Sequence, residues 1–155
     1  MSPHDWTWDY VKRLKDHIDV PLVLKGIVTR EDAEKALENG ADGIIVSNHG
    51  GRAEDSGRGA IECVAEVAAA AAGRGPVIVD SGFRRGTDIF KALALGADAV
   101  GIGRPYVWGL AAFGAPGVSR VIDVLTRELE MVMRQAGTPR LADIRPAALV
   151  DRGER

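Results

Sequence analysis

The sequence has little of several features that mark common classes of protein. It contains one cysteine, Cys63, which excludes an internal disulfide framework and favours a reducing compartment, so we expect a cytoplasmic location. Its three histidines follow none of the spacings of metal ligands, so we expect no metal site. No apolar run approaches the ~20 residues of a membrane span. The N-terminal residues also lack the apolar segment of a signal peptide.

Neither sign of charge is in excess. The chain has 20 Lys and Arg against 22 Asp and Glu, a formal net charge of -2, so we expect no broad positive surface for nucleic acid. With 155 residues, 46% of them hydrophobic, the chain is long enough to bury a core as one domain. We assign residues 1–150 to that domain and treat residues 151–155 as a polar tail.

Strand and helix patterns alternate along the chain. Short continuous apolar runs predict four buried strands, at residues 22–24, 44–46, 77–79 and 99–103. Helices are predicted to begin at capping residues Thr7, Thr29 and Thr87, with an Ala-rich helix at 60–72 and a final helix that carries an apolar stripe over 118–133. Continuous apolar strands separated by helices are typical of an α/β fold with a parallel sheet.

The chain also contains an internal repeat. Equivalent residues in its two halves lie 56 positions apart, as in the pairs Gly26 and Gly82, Asp32 and Asp88, Lys35 and Lys91, Gly40 and Gly96. Each copy spans two strands and two helices, which predicts two quarters of a TIM-type (β/α) barrel in tandem. A closed barrel needs about eight strands, so four strands make a half-barrel. Its open edges predict a homo-oligomer.

Polar residues stand where each predicted strand ends, which is where barrels of this type place their active sites. They are Lys25, Ser47, His49, Asp80, Arg84 and Arg104, with Gly103 directly before Arg104. His49 and Arg52, separated by two glycines, fit a proton acceptor beside a guanidinium that binds a carboxylate. The alternative is that both only satisfy structural polarity at the strand end.

The last two strand ends are typical of a phosphate cradle. Glycines in 81–83 and 101–103 allow backbone amides to approach an anion, while Arg84 and Arg104 supply positive charge. The alternative is that the glycines only permit tight turns. Lys25 lies either beside developing negative charge on a bound group or against a carboxylate. Ser47 either contacts a cofactor or caps its own turn.

Four motifs, in this order, resemble those of the FMN-dependent 2-hydroxy-acid oxidase and dehydrogenase family. They are Leu24-Lys25-Gly26, Ser47-Asn48-His49-Gly50-Gly51-Arg52, Asp80-Ser81-Gly82-Phe83-Arg84-Arg85-Gly86 and Gly101-Ile102-Gly103-Arg104-Pro105. That family includes glycolate oxidase, lactate oxidase, flavocytochrome-type lactate dehydrogenase and mandelate dehydrogenase. The resemblance extends from about Leu22 to Gly137 and covers only the C-terminal half of the family's eight-stranded barrel.

The resemblance implies a role for each matching residue. His49 would be the active-site base, Arg52 would bind the substrate carboxylate, and Lys25 and Ser47 would contact the flavin ring of FMN. The ribityl-phosphate end of FMN would be held by Asp80, Ser81, Gly82, Phe83, Arg84, Gly103 and Arg104. The N-terminal half of the family's barrel, absent here, carries substrate-contacting tyrosines, further flavin contacts and the aspartate that orients the base.

We therefore expect oxidation of a short L-2-hydroxy acid, of lactate or glycolate type, to the 2-keto acid. An N-terminal half-barrel or a second copy would be the protein partner. One alternative is a catalytically incomplete half-barrel that binds FMN or phosphate and self-associates. Another is a different phosphate-binding barrel, such as an isomerase of isoprenoid diphosphates, but the His-Gly-Gly-Arg order argues against it.

Overall fold

The computed structural model describes residues 7–52, 55–144 and 146–149. The predicted tail at 151–155 lies outside the described residues. Within them, helices and strands alternate as follows: α1 Trp8–Lys15, β1 Val23–Ile27, α2 Arg30–Glu38, β2 Gly43–Val46, α3 Ala60–Ala71, β3 Val77–Val79, α4 Gly86–Ala94, β4 Ala99–Val100 and α5 Arg104–Gln135. Two short 3-10 turns follow, at Leu141–Asp143 and Pro146–Ala148.

The four strands form one parallel sheet in the order β1-β2-β3-β4. Each strand therefore lies beside the next one in sequence, as in a (β/α) barrel and unlike a doubly wound sheet, in which the order reverses. The predicted α/β class with parallel strands and covering helices is confirmed.

The core lies between the sheet and α3. Ile44 and Val46 of β2 are 0% exposed, as is Val79 of β3, and they pack with the fully buried Val64 and Val67 of α3. Burial of side chains of this size stabilises a fold by about 1.5–3 kcal/mol each. This packing fixes the central strands, and with them the loops that follow their carboxyl ends.

The outer strands differ from the prediction. The run at 22–24 was expected to be a buried strand closed by Lys25, but β1 continues to Ile27 and Val23 is 38% exposed. The predicted strand at 99–103 joins the sheet only at Ala99–Val100. Both lie at the edges of the sheet, where a neighbouring strand covers one side only. An apolar run therefore does not guarantee burial at these positions.

Caps predicted from threonines are confirmed at two of three helices. Thr7 and Thr29 accept hydrogen bonds from backbone amides in the first turns of α1 and α2, at 3.3 and 3.2 Å. Thr87 was predicted to cap α4, but that helix begins at Gly86 with Arg85 as its N-cap residue. The carboxylates of Asp88 and Glu128 instead accept the backbone amides of residues 84–86, as described with the site below.

The predicted final helix, which carries the apolar stripe over 118–133, is present as part of α5. This helix starts at Arg104 and contains a break at Gly114, with φ 65° and ψ -150°. Pro116 follows the break. Gly109 and Gly117 lie so close across it that a Cβ at Gly117 would overlap the carbonyl of Gly109. Two small residues thus let the two segments of α5 pack against each other.

The internal repeat is reproduced in the backbone. Gly40 and Gly96 follow α2 and α4 with φ of 95° and 105°, the left-handed conformation that ends many helices. Two positions later, Asp42 and Asp98 each accept a hydrogen bond from a backbone amide near the start of the preceding strand, at 2.6 and 2.8 Å. The same helix-to-strand turn therefore occurs in both halves of the chain.

Candidate active site at the strand ends

A cleft of about 460 Å³ opens at the carboxyl ends of the four strands. Every site residue predicted from the sequence lines it except Ser47, which lies directly beneath. The lining residues are Lys25, His49, Gly50, Arg52, Asp80, Ser81, Gly82, Phe83, Arg84, Gly101, Ile102, Gly103, Arg104, Tyr106, Val107 and Trp108. They converge because the carboxyl ends of parallel strands meet at one edge of a sheet.

Lys25 is held by two partners on the floor of the cleft. Its Nζ donates to the Oγ of Ser47 at 2.7 Å and lies 2.9 Å from Oδ2 of Asp80. Lys25 therefore pairs with a carboxylate, which was one of the two environments considered for it from the sequence. Ser47 is 1% exposed, and its Oγ also accepts the backbone amide of His49 at 3.1 Å. Ser47 therefore both caps its own turn and positions the ammonium group of Lys25.

Asp80 remains ionised although it is partly buried. Burial raises the pKa of this carboxyl, but hydrogen bonds from Ser47, Lys25 and Ser81 together outweigh burial and leave the pKa below its usual value. Ser81 donates its hydroxyl to the other carboxylate oxygen at 2.9 Å. Lys25 and Asp80 thus neutralise each other, and the excess charge of the cleft is left to its arginines.

His49 stands in a backbone turn that few non-glycine residues adopt. His49, Gly50 and Gly51 have φ of 55°, 74° and 73°, all left-handed. For a residue with a Cβ this conformation costs about 1–2 kcal/mol. The imidazole lies against Gly26, where a Cβ would be 2.8 Å from Cε1 of His49. Gly26, which itself has φ 95°, leaves the space that the ring occupies.

Arg52 and His49 both face the cleft. The Nε of Arg52 donates to the backbone carbonyl of His49 at 3.2 Å. Among the residues that the structure describes, Arg52 pairs with no carboxylate. The terminal nitrogens of its guanidinium can therefore bind an anion beside the imidazole.

The part of the cleft around Gly82, Gly103 and the two arginines Arg84 and Arg104 fits a phosphate group. A Cβ at Gly82 or Gly103 would meet no atom within 4 Å, because both glycines face open space in the cleft. The guanidinium of Arg84 donates to the carbonyl of Phe83 at 2.8 Å and lies 4.9 Å from the centre of the Trp108 ring. Arg104 donates to the carbonyl of Gly50 at 3.2 Å.

These two arginines leave the phosphate end of the cleft positively charged. Within residues 7–52, 55–144 and 146–149, neither Arg84 nor Arg104 forms an ion pair with a carboxylate. A dianionic phosphate with open space, glycine-rich backbone and two guanidinium groups around it has the donors that it needs. The residues present therefore fit the phosphate end of FMN.

The amides at the start of α4 are already occupied. Asp88 accepts hydrogen bonds from the amides of Arg84 and Arg85, both at 2.9 Å. Glu128 of α5 accepts the Gly86 amide at 2.8 Å, and this bond lowers the pKa of Glu128. These three amides are therefore not available to an anion in the cleft.

Sequence reasoning missed two residues that shape the site. Asn48 was part of a motif without an assigned role, although Asn side chains in turns commonly bond to the backbone two residues further on. Its Oδ1 accepts the amides of Gly50 and Gly51, both at 3.1 Å. Glu128 carried no local signal, because it acts on a residue 42 positions earlier in the chain.

In the described part of the chain, no group of three or more His, Cys, Asp or Glu side chains is arranged to hold a metal ion. Over the same residues, no helix combines the length and apolar character needed to cross a membrane.

Known proteins with similar sequences are oxidases of 2-hydroxy acids. The chain is 52% identical over 139 residues to the peroxisomal (S)-2-hydroxyacid oxidase GLO3 of Arabidopsis thaliana, which covers 90% of this chain and 38% of that protein. It is 50% identical over 143 residues to the L-lactate oxidase of Lentilactobacillus hilgardii, covering 92% of this chain and 39% of that protein. The chain thus spans about two fifths of the length of these relatives.

Solved structures agree with the sequence matches. A lactate oxidase from Pediococcus acidilactici superposes with a TM-score of 0.89 at 46% identity, over 94% of this chain and 40% of that one. A mandelate oxidase bound to (S)-2-phenylpropionate superposes with a TM-score of 0.85 at 46% identity, over 90% of this chain and 42% of that one. The predicted TIM-type half-barrel is confirmed as the fold. Since residues 1–151 match the family described as FMN-dependent dehydrogenase, the chain belongs to that family, whose cofactor is FMN.

Proposed function

We propose that this chain is the C-terminal half of an enzyme that uses FMN to oxidise a short L-2-hydroxy acid, of lactate or glycolate type, to the 2-keto acid. The observation that carries the proposal is the convergence in one cleft of a histidine, a Lys-Asp pair and three arginines that have no carboxylate partner among the described residues. The names of relatives, a 2-hydroxyacid oxidase and lactate oxidases, support the substrate class.

The cofactor would occupy the cleft along its length. Arg84 and Arg104, with the backbone of 81–83 and Gly103, would hold the phosphate, and Asp80 would accept a hydrogen bond from a ribityl hydroxyl. Lys25 and Ser47 would lie beside the flavin ring, where the ammonium group favours negative charge on the reduced ring. When bound, FMN accepts the two electrons that the substrate loses.

Arg52 and His49 would act on the substrate. The guanidinium of Arg52 binds the carboxylate with two parallel hydrogen bonds, which places the adjacent carbon near the imidazole. His49 accepts one proton from the substrate. That proton comes from the hydroxyl if the α-hydrogen leaves as a hydride, and from the α-carbon if a carbanion forms. Either route removes two electrons and two protons in all and leaves the keto acid.

We further propose that residues 1–150 act as one half-barrel unit in the cytoplasm and that activity needs a protein partner. The partner is an N-terminal half-barrel or a second copy, since the chain spans about two fifths of its relatives. A second candidate function is binding of FMN or phosphate with self-association and no catalysis. The two open edges of the sheet, β1 and β4, favour this alternative.

Binding of FMN to the purified chain tests the cofactor site. Arg84→Ala and Arg104→Ala should each weaken FMN by about 10- to 100-fold, the loss expected for one charge-assisted hydrogen bond. His49→Ala should leave FMN affinity unchanged. Arg134→Ala removes an arginine 81% exposed on α5, outside the cleft, and is the matched control. Equal affinity in all four variants would contradict the proposed phosphate site.

Anaerobic reduction of the flavin tests the chemistry. L-lactate or glycolate, added to FMN-loaded chain together with the N-terminal half-barrel of a relative, should bleach the visible flavin absorption, and His49→Ala should abolish the bleaching. Bound FMN that substrate never reduces, even with the N-terminal half present, would favour the non-catalytic alternative.

A further inference from the structure

Asn48 closes the turn that carries His49 and Arg52. Its side-chain oxygen accepts the amides of Gly50 and Gly51, both at 3.1 Å, and its backbone carbonyl accepts the Gly51 amide at 2.9 Å. Asn48 is partly buried and lies outside the cleft lining. Its hydrogen bonds reach the backbone between His49 and Arg52, the two residues assigned to substrate.

The turn needs such support because of its backbone conformation. Three successive residues, His49, Gly50 and Gly51, are left-handed. Glycine loses more conformational freedom on folding than any other residue, and a histidine in this region is strained. Without an acceptor for their amides, the two glycines would sample other conformations, and Arg52 would move relative to His49.

Other contacts hold only the first part of the turn. Ser47 accepts the amide of His49 at 3.1 Å, Ser81 accepts the amide of Gly50 at 3.2 Å, and Arg104 binds the carbonyl of Gly50. Among the described residues, the Gly51 amide is bound by Asn48 alone. The backbone position from which Arg52 departs is therefore set by Asn48.

Asn48 is in turn anchored to α3. Its Nδ2 donates to the backbone carbonyl of Arg58 at 3.4 Å. The guanidinium of Arg58 pairs with Glu66 of α3 and also donates to the carbonyls of Val28 and Glu62, both at 3.4 Å. The turn that carries the proposed base is thus fastened through Asn48 and Arg58 to a helix in the core of the fold.

We propose that Asn48 is a positioning residue that fixes the separation of the His49 imidazole and the Arg52 guanidinium, and so the fit of a 2-hydroxy acid between them. This rests on the function proposed above for His49 and Arg52. Of the two arginines proposed to hold the phosphate, Arg104 also bonds to this turn through the Gly50 carbonyl, whereas Arg84 bonds to the carbonyl of Phe83 outside it.

Backbone relaxation of the ¹⁵N-labelled chain tests the positioning directly and requires no ligand. In Asn48→Ala, the order parameter of the Gly51 amide should fall from about 0.85, typical of rigid backbone, to below about 0.6. The order parameter of Val64 in the core should not change. Asn48→Asp keeps the side-chain acceptor and should restore Gly51. Asn39→Ala removes an asparagine of similar partial burial whose side chain donates to the Lys35 carbonyl, away from the cleft, and is the matched control.

Binding of oxalate to the FMN-loaded chain tests the consequence for substrate. Asn48→Ala should weaken oxalate by about 10-fold, the equivalent of one lost hydrogen bond, and should weaken FMN by less than that, because Arg84 does not bond to this turn. If Asn48→Ala does not fold, Asn48→Ser, with a shorter acceptor, should show an intermediate loss in both measurements.

An unchanged Gly51 order parameter in a folded Asn48→Ala, or unchanged oxalate affinity where wild type binds oxalate, would overturn the proposal. Failure of the wild-type chain to bind FMN or oxalate, with the N-terminal half-barrel of a relative present, would instead refute the proposed function. The relaxation measurement would then decide the role of Asn48 on its own.

Discussion

At the scale of single residues, the charged side chains of the cleft form two groups, one ion pair and three arginines. Lys25 and Asp80 form an ion pair 2.9 Å apart, and Asp80 is therefore not available to neutralise the arginines. Arg52, Arg84 and Arg104 line the cleft without a carboxylate partner among the described residues. A cleft with one internal ion pair and three guanidinium groups is suited to two anionic groups, the phosphate of a cofactor and the carboxylate of a separate substrate.

The lowered pKa of Asp80 predicts a pH-dependent contribution to stability. This contribution is complete above the unfolded pKa, about 3.9, and is lost as the pH falls from there through the lower folded pKa. At pH 7, Asp80→Asn should destabilise the chain by about 1–3 kcal/mol, because Lys25 and Ser81 lose a charged acceptor. Urea unfolding at a series of pH values measures the difference, which should shrink below pH ~4. A difference that stays constant over this range would contradict the prediction.

Gly26 predicts a second effect at the same scale. Gly26→Ala introduces a Cβ 2.8 Å from the His49 ring at a φ of 95°, so we expect a loss of stability of about 1–2 kcal/mol and a displaced imidazole. Gly73→Ala is the matched control, because Gly73 has φ 75° with no atom within 4 Å of a Cβ. Both variants should lose stability, but only Gly26→Ala should shift the NMR signals of the His49 ring. Equal ring signals in both would argue against a contact.

At the scale of elements, the interface between α4 and α5 positions the loop that carries Arg84. Glu128 of α5 binds the Gly86 amide and pairs with Arg85 at 3.0 Å, so one carboxylate fixes the start of α4. Gly86 fits so closely that an added Cβ would overlap the backbone of Leu129. The phosphate end of the cleft therefore depends on helix packing behind it as well as on its own loop.

Gly86→Ala should separate these two helices. Overpacking of this kind costs typically about 1–3 kcal/mol, and the shifted loop should also weaken FMN binding. Gly59→Ala at the start of α3 is the control, since a Cβ there would meet its nearest atom at 3.5 Å. Its effect on stability should stay below about 1 kcal/mol. Thermal unfolding and FMN titration of both variants measure the two effects, and equal behaviour would contradict the role of the interface.

At the scale of the whole molecule, the sheet is open on both sides. β1 and β4 each have a strand neighbour on one side only within the described residues. Apolar side chains are also exposed on the first segment of α5, where Trp108 is 56% and Phe113 76% exposed. Unpaired strand edges and apolar surface of this kind normally drive association.

We predict that the purified chain self-associates, and that the N-terminal half-barrel of a relative converts it to a 1:1 complex. Light scattering measures both states. Val23→Lys places a charge on the exposed edge strand and should reduce self-association. Ile122→Lys, at a position 51% exposed on α5, is the control and should not. A stable monomer of the unmodified chain would contradict the prediction.

The sequence by itself determined the features that depend on neighbouring residues. The caps at Thr7 and Thr29, the turns at Gly40 and Gly96, and the strand Val77–Val79 all follow from local hydrogen bonding and apolar periodicity. The gathering of the site residues was also predictable, because parallel strands bring their carboxyl ends to one edge whatever the loops between them.

Only the tertiary structure decided which partners these residues take. Lys25 bonds to Ser47 and Asp80 because two neighbouring strands bring them within reach. Val23 is exposed because its strand lies at an edge. α4 begins before Thr87 because Glu128, distant in sequence, supplies a carboxylate. Each outcome depends on contacts between segments far apart in the chain, which a local pattern of residues does not encode.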